Sequence, residues 1–277
     1  MLALTIRVEY HWGFWIRVPG TSKYQSTLPI PPPTTLIGAL SYPLIKHEAV
    51  ELNGSPIRGE TLSIHENPTS PAMILEKYIV AASSYLENLA MVWEDLNKYN
   101  TVLFHETTKE KDEEKLAGGR RYLMKYRTGA LPLGKVYYPN GGLTATFLID
   151  ANIRDIVKGN LERELEKAAW EITRIGSKES IVSVIDVQLT TAKPMNEKRV
   201  KTKYYFPAVL GNVGMGSSYY REMFWSGGWG RDAVSRFEEY LIPGSRTPVS
   251  SIPIVVELTP RANAFRVNGE ILITGEH

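Results

Sequence analysis

The sequence predicts an α+β protein: a ferredoxin-like or RRM-like domain over residues 1–195, followed by a smaller, mostly β module over 196–277. Three observations predict it. Leu4, Ile6 and Val8 alternate with Thr5, Arg7 and Glu9, the period of a half-buried strand. Asn160 stands ahead of Leu161, Leu165, Ala168, Ala169 and Ile172, which share one side of a capped helix. The order along the first two-thirds is strand, helix, strands, helix, strand, the arrangement of the split βαβ fold.

After the first strand, His11-Trp-Gly-Phe-Trp-Ile-Arg17 reads as an aromatic continuation, which Pro19-Gly20 turns into a polar loop containing Lys23 and Tyr24. The rings here suit core or hairpin packing better than base stacking, whereas Arg17 and Lys23 flank a possible anion site. That site belongs to the stretch Leu28-Pro-Ile-Pro-Pro-Pro-Thr-Thr-Leu-Ile-Gly-Ala-Leu40. Its prolines cannot enter a helix interior, but Pro33 can sit at a helix threshold, with Thr34 or Thr35 supplying the capping hydroxyl. Leu36, Leu40 and Leu44 then form the apolar stripe, and Gly38 leaves a hole on the adjoining face. The hole serves either a tight helix-to-strand contact or a helix N-terminus offered to a phosphate. Pro43 should kink or end the helix, which is therefore expected to be short.

Segment 48–72 reads as loop with brief strands. Across 73–98 the pattern predicts a strand at Tyr78-Ile-Val-Ala and then a helix, because Leu89, Val92, Trp93 and Leu96 share one helical face. Lys109-Glu-Lys-Asp-Glu-Glu-Lys115 is a solvated charged run. Beyond Gly118-Gly119, Arg120, Arg121, Lys125 and Arg127 are interleaved with Tyr122 and Tyr126, joining cations for phosphates to flat groups for bases. The alternative is a basic strand that guards a sheet edge. Val136–Ile149 predicts two strands around an Asn140-Gly141 turn. Gly176 stands where the Asn160 helix should stop, and a Val- and Ile-rich strand covers 180–189.

Past Pro194 and the basic run Lys198-Arg-Val-Lys-Thr-Lys203, the chain turns aromatic and glycine-rich, with short strands at 252–259 and 264–273. Gly211-Asn-Val-Gly-Met-Gly216 lacks the Lys-Ser or Lys-Thr of a P-loop, and its glycine order is not the dinucleotide fingerprint. Tyr219-Tyr-Arg-Glu-Met-Phe-Trp-Ser-Gly-Gly-Trp-Gly-Arg231 is either a buried wall or an exposed anchor, in which Tyr220, Trp225, Trp229 and Arg231 would meet a protein neighbour.

Composition narrows the chemistry. With 277 residues, 43% hydrophobic and 22% charged, the chain matches an ordinary soluble globular protein. A formal net charge of +2 means that any basic surface is local. Without cysteine there is no disulfide, thiol nucleophile or thiolate metal site. Arg7 and Glu9 break the N-terminal apolar run before a signal core accumulates, and no stretch of about 18 apolar residues occurs, so a cytoplasmic protein without a membrane span is expected. His11, His47, His65, His105 and His277 form no metal-ligand pair at helical spacing, and HExxH and GxSxG are absent. Neither cofactor nor metal is expected.

Pro-x-Thr-x-x-Gly-Ala-Leu on the first helix, after an apolar N-terminal strand, resembles the Cas-five family, the CRISPR-associated RAMP subunits that cap the 5′ end of the guide RNA in type I Cascade. A second segment, Arg174-Ile-Gly-Ser-Lys-Glu-Ser-Ile-Val-Ser-Val184, is similar to the family's helix-to-strand junction. The glycine-rich loop of RAMP proteins is matched imperfectly at 211–216. The length and the insert resemble the type I-A branch. The resemblance implies a RAMP domain with a protruding thumb at about 100–135. It also implies a non-catalytic subunit that grips the 5′ handle of the guide RNA (crRNA) and joins the backbone subunit to the large subunit in antiviral defence. Target DNA within the complex is a further candidate partner of the thumb. The RNA contacts it suggests are Arg17, Lys23, Tyr24, Thr34, Thr35, Gly38, Arg120, Arg121, Lys125, Tyr126, Arg127, Gly211, Asn212 and Gly214. Two other readings compete: a metal-independent endoribonuclease using His11 near Arg17 and Tyr24, and a free-standing RRM-like RNA binder.

If Arg120, Arg121, Lys125 and Arg127 touch phosphates, replacing all four by alanine should shrink the slope of log affinity against log salt by roughly 0.7 per contact on single-stranded RNA. A filter-binding titration of handle RNA at several salt concentrations measures this. Edge protection alone would instead give aggregation with an unchanged slope.

Overall fold

The first strand, β1 (Leu2–Tyr10), alternates as its sequence requires: Leu4, Ile6, Val8 and Tyr10 are fully buried while Arg7 faces solvent. The computed structural model describes residues 1–18, 25–52, 54–57, 72–100, 128–225 and 237–275. After β1 come β2 (Gly13–Phe14), α1 (Pro33–Lys46), β3 (Glu51–Leu52), β4 (Ser55–Pro56), α2 (Ala72–Glu76), β5 (Ile79–Leu86) and β6 (Met91–Asn100). Then follow β7 (Thr128–Tyr137), β8 (Gly141–Ile149), α3 (Leu161–Trp170), β9 (Val182–Thr191), β10 (Lys193–Met195), β11 (Arg199–Thr202), β12 (Phe206–Pro207) and β13 (Gly211–Val213). The last strands are β14 (Tyr219–Trp225), β15 (Phe237–Pro243), β16 (Ser245–Arg246), β17 (Val249–Ser250), β18 (Ile254–Leu258), β19 (Ala262–Val267) and β20 (Glu270–Gly275). The architecture is mixed α and β, mostly strands with few helices.

The main sheet has the order β5-β8-β1-β9, every neighbouring pair antiparallel. One face carries Leu4, Ile6, Leu143 and Phe147, which share a core with Leu36 and Leu40 of α1 and Leu165 and Ala169 of α3. A fully buried Leu or Phe side chain contributes roughly 1.5–3 kcal/mol each, so this face supplies most of the drive to fold. On the opposite face Ala3 and Leu148 meet Tyr204, Val267 and Leu272. That face also carries polar groups: Thr5 and Thr146 hydroxyls lie 3.0 Å apart, and Thr146 is 2.7 Å from the Tyr204 hydroxyl. Arg7 grips Glu87 at 2.7 Å, and this hydrogen bond, ahead of other influences, holds the Glu87 carboxyl below its usual range.

The C-terminal strands are fastened to the same core by aromatic rings. Tyr205 meets Phe224 and Tyr240 edge-on, with centroids 5.4 and 5.8 Å apart. The Tyr205 hydroxyl donates to the carbonyl of Pro31 at 2.9 Å. Three prolines in succession lack N–H groups and cannot organise themselves, so this bond from a side chain 174 residues away fixes the chain where α1 begins.

Several expectations are corrected. Pro32, not a threonine, is the N-cap of α1, extended at φ −73° and ψ 165°; no side-chain oxygen caps the helix. Pro43 does not end it: α1 runs 14 residues, because the ring is buried between Leu40 and Leu44 and packing offsets the hydrogen bond lost at Ala39. The helix expected around Leu89–Leu96 is instead strand β6, paired along its length with β7. Asn140 takes the turn conformation at φ 53°, yet β7 and β8 leave it for different sheets, so no hairpin forms there. The run 264–273 divides into β19 and β20 around Asn268 (φ 51°) and Gly269 (φ 86°). Gly176 is not the stop of α3, whose C-cap is Glu171.

Asn160 does cap α3, its side chain accepting from the Arg163 amide at 2.8 Å. Asn160→Ala should therefore cost about 1 kcal/mol. Thr34→Ala and Thr35→Ala, which remove no capping bond, should each stay within about 0.5 kcal/mol. Urea unfolding of the three variants checks both.

Candidate functional site

Positions 35, 38, 39 and 42 of α1 lie on the helix face away from Leu36, Leu40 and Leu44, as three- and four-residue spacing dictates. That face borders a groove of about 720 Å³, and the start of the helix forms one end of it through Pro32, Thr34 and Thr35. Ile16, Arg17 and Leu28 form a second wall, Glu171, Ile172, Arg174 and Gly176 a third, and Trp225 closes the rim.

The second and third walls are brought together by backbone chemistry. The Ser177 amide donates to the Trp15 carbonyl at 3.0 Å, and the Trp15 amide to the Ser180 hydroxyl at 3.1 Å. Gly176 has φ 121°, and a Cβ there would lie 2.8 Å from Ser180 Oγ and 3.2 Å from Ile16 Cγ1. Only glycine permits the crossing. A ladder contact between Arg17 and Thr27 and another between Arg174 and Ile181 then hold both arginines at the groove.

Arg17 and Arg174 are exposed, and neither makes an ion pair with a described residue. Arg174 lies over the Tyr42 ring at 5.9 Å. Two permanently charged guanidiniums, the hydroxyls of Thr34 and Thr35, and an apolar floor of Ile16, Leu28 and Ile172 suit a ligand that is anionic at one edge and flat and apolar at another. Amide donors contribute less than the sequence suggests. Pro33 has none, and the Thr35 and Leu36 amides already donate to the Pro32 carbonyl at 3.0 and 3.2 Å. Glu171 is half-buried at the groove, its carboxylate bonded to His47 Nε2. Among the described residues no His, Asp and Glu cluster could hold a metal ion.

Of the sequence-predicted contacts, Arg17, Thr34, Thr35 and Gly38 come together here. A Cβ at Gly38 would meet nothing within 4 Å, so the glycine faces the open groove and makes no tight helix-to-strand contact. Trp225, expected at a protein interface, lines the groove and a second, smaller cavity of about 170 Å³ between α1, β5 and the C-terminal strands. Tyr220 packs against the main core, and burial raises its hydroxyl pKa. Gly211, Asn212 and Gly214 lie elsewhere: Gly211 is buried in β13, where a Cβ would fall 2.3 Å from Val256 Cγ1, so the glycine serves strand packing. His11 is also outside the groove, bonded to the Ser183 hydroxyl at 2.8 Å. Lys23, Tyr24, Arg120, Arg121, Lys125, Tyr126, Arg127, Trp229 and Arg231 lie outside the described residues.

Sequence reasoning missed Tyr42, Glu171 and Arg174 as site residues. Arg174 carried a signal, since it heads the junction segment already singled out. Tyr42 could have been found by extending the face of Thr35 and Gly38 one turn. Glu171 had no signal.

Comparison with known proteins bears on the family and the fold. The sequence profile of the family described as CRISPR-associated protein (Cas_Cas5) matches residues 4–233. Two proteins of Saccharolobus solfataricus are each 31% identical over 277 residues, covering 99% of this chain and 99% of the relative: "CRISPR-associated protein Cas5 3" and "CRISPR system aCascade subunit Cas5 1". The crystal structure of a CRISPR protein from Archaeoglobus fulgidus shares the fold with a TM-score of 0.59 at 21% identity, with both chains covered in full.

Gly38→Ala should raise stability by about 0.5–1 kcal/mol, because glycine inside a helix costs that much and the added methyl meets open space. Thermal unfolding of the variant checks this, and a fall in stability would mean that the face is not open.

Proposed function

The chain belongs to the Cas5 family of CRISPR-associated proteins, and on that premise we propose that it is a non-catalytic, guide-RNA-binding subunit of a type I Cascade complex. In this reading it grips the 5′ handle of the guide RNA and links the backbone and large subunits during antiviral defence. The observation that carries it is the pairing of Arg17 with Arg174 across one groove from Thr34 and Thr35, a set that can take a phosphodiester backbone while bases lie on the apolar floor. The relative named as an aCascade subunit supports the role in that complex, and we read the subtype as I-A. The sheet order β5-β8-β1-β9, with both longer helices on one face, supports reading residues 1–195 as a ferredoxin-like RAMP domain. The basic stretch 118–127, placed between β6 and β7 in sequence, is proposed as the thumb contact, and β14 as part of a surface for a neighbouring subunit. A cytoplasmic site of action follows from the role; among the described residues no helix is long and apolar enough to cross a membrane.

The endoribonuclease reading gains no support from the groove, since His11 is engaged with Ser183 and sits apart from Arg17's groove face. Tagged protein expressed with its native CRISPR array should co-purify with guide RNA and partner subunits. Arg17→Ala with Arg174→Ala should weaken handle-RNA binding and reduce its salt slope by roughly 0.7 per lost contact. Gly38→Leu, which fills the groove, should weaken binding with the fold retained. Full RNA affinity in both variants would refute the assignment of the groove.

A further inference from the structure

A groove built only for phosphate has no use for a carboxylate, which repels the ligand it should attract. Yet Glu171 lines this one together with Arg17 and Arg174. Its position is not an accident of a loose side chain. Glu171 is the C-cap of α3, with its amide donated to the Lys167 carbonyl at 3.2 Å, and His47 Nε2 holds one carboxylate oxygen, Oε2. Nor is Glu171 paired with either arginine: its partner is His47, and Arg174 lies over the Tyr42 ring. A single half-exposed pair with histidine stabilises a fold little. What remains is a second carboxylate oxygen, Oε1, on a residue that lines a groove together with two guanidiniums.

Such an acceptor is useful when the ligand brings a hydrogen-bond donor beside its phosphate. In every nucleotide of RNA that donor is the 2′-hydroxyl, and DNA lacks it. Resting on the RNA-binding reading above, we infer that Glu171 makes this groove selective for ribose over deoxyribose. It accepts a hydrogen bond from a 2′-hydroxyl of the bound strand and, when no such donor is present, penalises the strand by repulsion. His47 is a positioning residue that keeps the carboxylate turned for this contact.

The sign of the effect is distinctive. Removing a merely structural glutamate would change RNA and DNA binding alike, whereas removing a sugar-reading carboxylate relieves repulsion for DNA and withdraws a hydrogen bond from RNA. The probes are random-sequence single-stranded octamer pools of RNA, DNA and 2′-O-methyl RNA, titrated against the full chain at fixed salt. The wild type should prefer RNA over both other pools, because 2′-O-methyl RNA keeps the oxygen but has no proton to donate. In Glu171→Ala the RNA-to-DNA affinity ratio should fall about tenfold, the order of one charge-assisted hydrogen bond, with DNA binding itself rising. Glu171→Gln, which keeps the shape and an acceptor, should raise binding to both pools and lower the ratio less. Arg17→Ala with Arg174→Ala separates the two levels of the argument. If that variant keeps full RNA affinity, the groove is not the RNA site and both readings fall. If it loses RNA affinity while Glu171→Ala keeps the wild-type ratio, or if the wild type binds 2′-O-methyl RNA as well as RNA, only the sugar-reading role is overturned.

Discussion

The structure depends on β1 being paired along both of its edges. Leu2–Tyr10 matches Ile149–Gly141 of β8 on one side and Thr191–Val182 of β9 on the other, so nearly every backbone polar group of the strand is satisfied inside the sheet. Its side chains are then forced to alternate, and Leu4, Ile6, Val8 and Tyr10 all turn to the face that α1 and α3 cover. The same pairing decides where the groove can be. β1 and β9 are antiparallel, so the chain leaving β1 runs beside the chain entering β9, and Trp15 meets Ser177 and Ser180 there. Arg17 and Arg174, 157 positions apart in sequence, become neighbours of one cavity as a consequence of a ladder neither belongs to.

Much of this was legible in the sequence where a residue's environment follows from its local pattern. The two-residue alternation of β1, the Asn160 cap and the Leu36, Leu40, Leu44 stripe all have a single buried face, and each is found as read. The reading failed where that assumption fails. Leu89, Val92, Trp93 and Leu96 fit a helical face, but Leu89 precedes β6, the other three lie in it beside β7, and the four are 68, 37, 57 and 63% exposed. Periodicity presumes burial, and these residues are not buried within this chain. Asn140-Gly141 and Asn268-Gly269 show the same limit from the other side: both dipeptides turn the chain, but only the second joins strands that pair, because β8 is claimed by β1 and β5. Pro43 was read as a break because the hydrogen bond it deletes is local, whereas the packing that tolerates it is tertiary.

The candidate site divides along the same line. Thr34, Thr35 and Gly38 sit within one helix turn of each other and could be grouped by spacing alone, and Arg17 lies just ahead of them in the chain. Glu171 and Arg174 could not be joined to that group, since the contact needs the β1–β9 ladder and the Gly176 crossing before it exists. The C-terminal third was similarly opaque. Nothing near Tyr205 in sequence announces that its hydroxyl anchors Pro31 at the threshold of α1.

A chain with 32 basic and 30 acidic residues has almost no net field with which to attract a polyanion, so any such attraction has to come from the arrangement of charge. Elsewhere on the described surface several cations are paired with carboxylates: Arg7 with Glu87, Arg154 with Glu162, Lys158 with Glu51, Lys203 with Glu270, Arg221 with Glu239, Arg246 with Glu222. Each pair is close to electrically neutral from a Debye length away, about 8–10 Å at ordinary ionic strength. Arg17 and Arg174 make no such pair with a described residue, and they line the same groove. Two guanidiniums at one concavity concentrate positive charge there. Glu171 tempers that charge, because a carboxylate lining the same groove offsets part of it.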